Sequence, residues 1–220
     1  MQPNKPYRTS HRLRGFDYSW PEAYYVTICT HQKRCLFGTV RDDEVHLNHL
    51  GEIVQAEWLK TAQLRPEVKL REFTIMPNHI HVLIAFRNTQ GESINSIVGS
   101  GKCFMAYDII KRLRKLGKFN VLRKLERLVN KKEKLKGKLH EIFEPSFDWK
   151  MCDTENLVDQ KLDYIHENPC RGKWQLCQQL EDYVHSSACF YAIGKQGVYE
   201  VTNIAAIEDI DLTKPFVDNN

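Results

Sequence analysis

The sequence lacks both a long apolar run and a secretory signal, and these absences limit where the protein can work. No stretch of the chain approaches the roughly 20 consecutive apolar residues that a membrane helix needs. The basic N-terminal segment has no apolar core of the kind that a secretory signal carries. We therefore expect a cytoplasmic protein with no membrane partner.

The seven cysteines form no pattern that predicts a disulfide or metal framework. Their number is odd, they are scattered along the chain, and no Cys-x-x-Cys occurs. We interpret them as reduced thiols that pack mostly as small buried hydrophobes. The phosphate-binding pattern Gly-x-x-x-x-Gly-Lys-Ser/Thr is also absent, so we expect no nucleotide cofactor.

Length and apolar content predict a single domain that spans residues 1–220. A chain of 220 residues with 42% apolar side chains can bury one full core but is short for two. Within this domain we predict a basic helical insertion at about 111–140 and an irregular C-terminal tail at about 192–220.

The order of the predicted elements indicates an α+β fold. β-Branched and aromatic residues predict a strand at 24–30 and two long strands, at 68–75 and 79–86, on either side of a turn signal. Amphipathic patterns predict one helix at 50–64 and another that begins after Ser93. An edge strand and a final helix follow. This order favours a mainly antiparallel sheet with helices packed on one face.

Positive charge is concentrated in one segment of a chain whose net charge is only +4. Residues 111–138 contain thirteen Lys or Arg and two Glu, which gives +11 for the segment and about −7 for the rest of the chain. Such a concentration favours a polyanionic partner. A solvated helical hairpin explains the same charge run equally well.

His79 and His81 are the first candidates for chemistry. Two residues apart on a predicted strand, they project to the same face, whereas Ile80 points to the other. Two neutral imidazoles placed in this way can bind one metal ion. A hydrogen-bonded surface pair is the alternative that this short pattern leaves open.

Tyr164 is the second candidate, because tyrosine can act as a covalent nucleophile. It lies in the predicted final helix near Asp163 and His166, and Asn168 follows one turn later on the same helix face. Most tyrosines on amphipathic helices pack in the core, so the position alone leaves both interpretations open.

Two segments resemble the HUH family of single-tyrosine transposases, in which U is a hydrophobic residue. Residues 73–84 read FTIMPNHIHVLI and are similar to the histidine motif of that family. Residues 162–169 read LDYIHENP and are similar to its nucleophile helix. Further similar segments at 96–102 and 183–191 extend the resemblance, which within the family is greatest to the REP-associated tyrosine transposases of bacteria.

The resemblance implies a ferredoxin-like (RRM-like) fold, a homodimer, and cleavage of single-stranded DNA beside a hairpin through a 5′-phosphotyrosine link. It implies Tyr164 as the nucleophile and His79, His81 and Asn168 as ligands of Mg²⁺ or Mn²⁺. Many members have glutamine in place of Asn168, which is one methylene shorter, so its contact with the ion can be indirect or through water.

The basic segment is the predicted DNA-binding surface. We expect Lys111, Arg112, Arg114 and Lys115 to contact phosphates without reading sequence. Lys102 is a further candidate for a DNA contact.

Three other functions compete with this prediction. A histidine-triad nucleotide hydrolase needs a third histidine at the next alternate position, where this chain has Leu83. A domesticated relative would bind structured single-stranded DNA or RNA without cutting it, and metal-independent binding would favour that alternative. A structural protein with a basic helical arm is the third.

Overall fold

The chain combines strands and helices. A computed structural model describes residues 23–41, 44–64, 68–86, 93–171 and 174–196. The strands are β1 (Ala23–Cys29), β2 (Gly38–Arg41), β3 (Glu44–Leu47), β4 (Val68–Met76), β5 (His79–Phe86) and β6 (Asp148–Cys152). The α-helices are α1 (His49–Leu64), α2 (Ile94–Lys115), α3 (Phe119–Arg127), α4 (Lys131–Leu135), α5 (Glu155–Glu167) and α6 (Ala188–Ile193).

The central sheet has four strands in the order β4–β5–β1–β6, and all neighbours are antiparallel. β4 and β5 form the hairpin that the turn signal at Pro77 and Asn78 predicts. β6 pairs only with β1 within the described residues and is the predicted edge strand. The α+β prediction is therefore confirmed, and the sheet with its helices is consistent with a ferredoxin-like arrangement.

One face of the sheet packs against α1 and α2. Alternate residues of the central strands supply this face, and Val26, Ile80 and Val82 are fully buried there. Val54 of α1 and Val98 of α2 belong to the same apolar cluster and are fully buried too. Removal of this apolar surface from water is the main stabilising contribution of the layer.

The opposite face of the sheet packs against α5. Tyr25 and Leu83 on this face form a second apolar cluster with Val158 and Ile165 of α5. Because the central strands carry apolar side chains toward both faces, the sheet needs cover on both. The predicted packing on one face therefore accounts for α1 and α2, and the structure adds α5 as a layer on the other side.

The predicted basic insertion consists of three helical pieces, since α3 and α4 follow the end of α2. Gly117, with φ 63°, and Gly137, with φ 86°, adopt the left-handed conformation that favours glycine and interrupt the helical path. The Asn130 side chain caps α4. Leu122 and Leu125 bury one face of α3 in the core, which leaves its cationic face exposed.

The seven cysteines form no disulfide in the structure, and most are not buried. Cys152 is buried, whereas Cys35 and Cys103 are exposed. The prediction of mostly buried cysteines is wrong because Cys35 lies in a loop and Cys103 on the outer side of α2.

After α5 the chain forms a helix that the sequence did not predict. α6 ends at Ile193 and is followed by Gly194, whose φ of 70° is the left-handed conformation common after helices. Residues 197–220 of the predicted irregular tail lie outside the described residues. None of the described helices is long and apolar enough to cross a membrane.

Candidate metal and nucleophile site

The structure brings His79 and His81 together at the start of β5. Their Nε2 atoms are 3.1 Å apart, and their ring centroids are 4.6 Å apart. His81 is 3% exposed and lies on the sheet face that α5 covers. The alternation of a strand therefore produces the convergence of imidazoles that the sequence predicted.

Each histidine uses its Nδ1 atom in a hydrogen bond within the protein. His79 Nδ1 is 2.6 Å from Asn78 Oδ1, and the Asn78 Nδ2 atom donates to the Lys33 carbonyl at 3.0 Å, which fixes the orientation of the amide. Because an amide oxygen only accepts, the proton of His79 is on Nδ1, and Nε2 presents a lone pair to His81.

His81 Nδ1 lies between two hydroxyl groups from β1. The Tyr25 hydroxyl is 2.7 Å away and the Thr27 Oγ1 atom 3.0 Å away. Thr27 is the direct partner of His81 in the β1–β5 register, and Tyr25 is two residues away on the same face. Hydroxyls can donate as well as accept, so they can donate to His81 Nδ1 while the His81 Nε2–H donates to His79, and accept from a protonated Nδ1 once an ion takes the place of that proton on Nε2.

Burial keeps the side chains of His81 and Tyr25 uncharged. It lowers the pKa of His81 well below its usual value, and the charge that His79 carries when protonated and the charge of Lys161 add to that effect. Burial also raises the pKa of the Tyr25 phenol. At neutral pH His81 therefore offers an uncharged nitrogen donor next to the uncharged Tyr25 hydroxyl.

Tyr164 faces the histidine pair and not the core. Its neighbours Leu162 and Ile165 on α5 are buried, whereas Tyr164 is 49% exposed. Its ring centroid lies 5.4 Å from that of His81 and 5.9 Å from that of Tyr25. The core-packing alternative for this tyrosine is therefore wrong, and the phenol is open to solvent beside the imidazoles.

Asn168 follows the last residue of α5 and lines the same cleft of about 500 Å³ as His79, His81 and Tyr164. Its Oδ1 atom is buried without a hydrogen-bond partner among the described residues. A buried polar atom of this kind points to a missing partner, such as a water molecule or an ion.

The donors of the cleft suit a divalent cation. No group of three or more His, Cys, Asp or Glu that could hold a metal occurs in the described ranges, so an ion here depends on the Asn168 amide as third donor. Two imidazole nitrogens and one amide oxygen are all neutral and leave coordination positions for water or phosphate. This donor set fits Mn²⁺, and Mg²⁺, which prefers oxygen, less closely.

Charged side chains that the sequence did not single out complete the cleft. Lys33 and Arg171 line it with Asp148 and Glu167. Arg171 binds Glu167 across 2.6 Å. The four formal charges cancel, so a bound divalent ion would make the cleft cationic. The sequence gives no sign of Asp148, because its position depends on the β1–β6 pairing.

Of the predicted DNA-binding residues, Lys102 is engaged inside the protein. Its Nζ atom donates to the carbonyls of Glu144, Pro145 and Ser146 at 2.7, 3.1 and 3.3 Å. Burial lowers the pKa of this ammonium group. The lysine thereby joins α2 to the segment before β6, and a DNA contact at Lys102 stays a prediction.

The other four predicted DNA-binding residues lie on the last turns of α2. Lys111, Arg114 and Lys115 are exposed and Arg112 is half-buried. Lys111 and Arg114 line a groove of about 870 Å³ between α2 and residues 137–145. None of the four lines the cleft that contains the histidines.

Comparison with known proteins agrees with this fold. No protein-family model matches the chain. An uncharacterized protein of Haemophilus influenzae is 27% identical over 168 residues, which are 74% of this chain and 88% of that protein. A solved REP-associated tyrosine transposase bound to a REP hairpin matches with a TM-score of 0.51 and 14% sequence identity, over 90% of this chain and 94% of that chain. The chain therefore has the fold of that tyrosine transposase.

Proposed function

We propose that the protein is a metal-dependent, single-tyrosine enzyme that cleaves and rejoins single-stranded DNA near hairpins. The observation that carries this proposal is the meeting of the histidine pair, Tyr164 and the unsatisfied Asn168 amide in one cleft. The solved transposase of the same fold is bound to a REP hairpin, which supports hairpin DNA as the partner.

His79, His81 and Asn168 would hold Mn²⁺ or Mg²⁺ through two Nε2 atoms and one Oδ1 atom. The ion would supply Lewis-acid polarisation of the scissile phosphate. Because the three donors are neutral, they leave the charge of the ion available to the DNA. The hydroxyls of Tyr25 and Thr27 fix the ring of His81 through its Nδ1 atom, so the Nε2 donor is oriented in the absence of DNA.

Tyr164 would attack the phosphorus with its phenol oxygen. The bond from phosphorus to the 3′ oxygen breaks, the phenol proton is lost, and the 3′ oxygen takes up a proton and leaves as a free hydroxyl. A neutral phenol is a weak nucleophile that needs a nearby group to activate it, and the Lys161 ammonium lies 5.7 Å from the Tyr164 ring centroid. The 5′-phosphotyrosine bond conserves the phosphodiester energy, so rejoining needs no ATP.

A single copy of the chain carries all parts of this site. Tyr164 contacts His81 of its own chain, which supports attack within one subunit. The homodimer implied by the sequence resemblance stays a prediction, and the chemistry proposed here does not depend on it.

The exposed cations of the segment 111–138 would bind the DNA outside the cleft. Thirteen Lys or Arg against two Glu give this segment a field that attracts phosphates of any sequence. A groove of about 870 Å³ beside it is lined by Lys111 and Arg114, among others, which supports a path for the DNA along α2.

The test uses hairpin oligonucleotides with single-stranded flanks, taken from the DNA around the protein's own gene. With Mn²⁺ we expect two products: one fragment whose 5′ end is linked to protein, and one with a free 3′-OH that a polymerase can extend. EDTA should abolish both products. Equal binding with and without EDTA, with no cleavage under either condition, would contradict the proposal and favour a non-catalytic DNA-binding protein.

A further inference from the structure

The loop that follows β1 contains two strained residues, the second of which lines the cleft. Gln32, with φ 57°, and Lys33, with φ 51°, adopt the left-handed conformation although neither is glycine. This conformation is sterically unfavourable for residues that carry a Cβ. Backbone strain of this kind persists only where the surrounding structure enforces it, and it is concentrated at functional sites.

Hydrogen bonds from three directions enforce the strained loop. The Thr30 hydroxyl donates to the Arg34 carbonyl at 2.7 Å and closes the loop on itself. The backbone N–H of Gln32 donates to the Glu144 carboxylate at 2.7 Å. The Asn78 side chain donates to the Lys33 carbonyl at 3.0 Å. The loop is therefore fixed to both the β4–β5 turn and the segment before β6.

The result of this arrangement is an unpaired ammonium group at the cleft. Lys33 lines the cleft, is exposed, and has no ion pair or side-chain hydrogen bond within the described ranges, whereas Arg171 is bound to Glu167. Burial raises the pKa of the Cys29 thiol, and the charge of Lys33 opposes that rise, which is consistent with a cation close to the cleft wall.

Asn78 connects this lysine to the histidine pair. It is 5% exposed, its Nδ2 atom holds the Lys33 backbone, and its Oδ1 atom accepts from His79. One side chain therefore fixes the position of Lys33 relative to His79.

We infer that Lys33 binds a phosphate of the DNA strand that occupies the cleft, and that the loop strain is retained because it places this lysine there. The inference rests on the proposed function, since it requires DNA in the cleft. Asn78 is a positioning residue, because it acts through Lys33 and His79.

The first test measures binding of a fluorescent hairpin oligonucleotide with a single-stranded flank, over a range of salt concentrations in EDTA. In a plot of the logarithm of the binding constant against the logarithm of the salt concentration, loss of one phosphate contact to a single strand makes the slope shallower by about 0.7. This corresponds to about fivefold weaker binding at ~0.1 M salt. We expect this change in Lys33→Met and Lys33→Gly, whereas Lys33→Arg should bind as the wild type does. The Kd of Mn²⁺ should be unchanged in all three.

The second test is thermal unfolding of the same variants. Glycine adopts a φ near 51° without steric cost, so Lys33→Gly should raise the Tm although it weakens DNA binding. A variant that is more stable and binds less tightly excludes misfolding as the cause of weaker binding. A Tm below that of the wild type would overturn the link between strain and function.

The outcomes also separate this inference from the proposed function. If the wild type binds DNA and Lys33→Met keeps its affinity and salt slope, the assignment of Lys33 is overturned and the proposed function is untouched. If the wild type does not bind hairpin DNA under any condition, the proposed function fails, and the role of Lys33 fails with it.

Discussion

The ring of Tyr164 lies edge-on to the ring of His81, with centroids 5.4 Å apart and an interplanar angle of 77°. This contact joins α5 to the central strand β5 on the face of the sheet opposite α1 and α2. It places an exposed phenol beside an imidazole that burial keeps neutral.

Replacement of either histidine by alanine should abolish saturable Mn²⁺ binding. His79→Ala or His81→Ala leaves one imidazole and one amide, which is too few protein donors for a stable site. Electron paramagnetic resonance of free Mn²⁺ measures the loss directly. His140→Ala is the matched control, because His140 lines the α2 groove and not the cleft. Wild-type affinity in either histidine variant would show that the ion binds elsewhere.

Tyr25→Phe should weaken Mn²⁺ binding by about tenfold, the lower end of the range for loss of a group that supports a metal ligand. The substitution removes the hydroxyl 2.7 Å from His81 Nδ1 and leaves Thr27 as the remaining partner. Isothermal titration calorimetry can measure the change. Tyr24→Phe, on the opposite face of the sheet, is the control and should bind as the wild type does. Equal Mn²⁺ Kd values for Tyr25→Phe and Tyr24→Phe would show that the Tyr25 hydroxyl does not support the metal ligand His81.

Acidification should destabilise the metal-free protein through His81. Its folded-state pKa lies well below the unfolded value of about 6.5, so between those two values the unfolded chain binds a proton that the folded protein does not. The free energy of unfolding therefore falls as the pH drops below about 6.5, by up to about 1.4 kcal/mol per pH unit.

Urea unfolding in EDTA at about pH 7, 6 and 5 measures this dependence. His81→Gln lacks the titrating group and should lose stability less steeply than the wild type. Parallel pH profiles for the two proteins would mean that His81 is protonated as easily in the folded state as in the unfolded state.

Neutralising the exposed lysines of α4 should weaken binding to all DNA sequences alike. Lys131, Lys132 and Lys134 are exposed, and each lost phosphate contact lowers the salt slope by about 0.7 on single-stranded DNA. A triple change to glutamine should therefore lower the slope by up to about 2 and leave the Mn²⁺ affinity unchanged. Lys195→Gln, at an exposed position after α6, is the control. An unchanged slope would place the DNA path away from α4.

Much of the site could be predicted because it depends on local periodicity. His79 and His81 share a face because side chains alternate along a strand, and Tyr164 and Asn168 share a side of α5 because they are one helical turn apart. The turn at Asn78 and the helix cap at Thr154 also have local signatures. Local patterns therefore identify the central side chains of the cleft.

The remaining parts could not be predicted, because they depend on long-range packing. Tyr25 and Thr27 reach His81 only through the register of β1 with β5. The left-handed backbone at Lys33 depends on contacts from Asn78 and Glu144, which no local pattern encodes. The face on which α5 packs could not be predicted either, because the central strands carry apolar side chains on both faces of the sheet.

A gel assay for a covalent protein–DNA adduct tests the central claim most directly. Wild type and Tyr164→Phe are each incubated with a labelled hairpin oligonucleotide and Mn²⁺, denatured, and separated, and any adduct is digested to locate the modified peptide. Phenylalanine can keep the ring contact with His81 but has no oxygen. We predict an adduct on the α5 peptide that contains Tyr164, its absence in EDTA and in Tyr164→Phe, and unchanged DNA binding by the variant. An adduct of equal yield in Tyr164→Phe, or one on another peptide, would contradict the account.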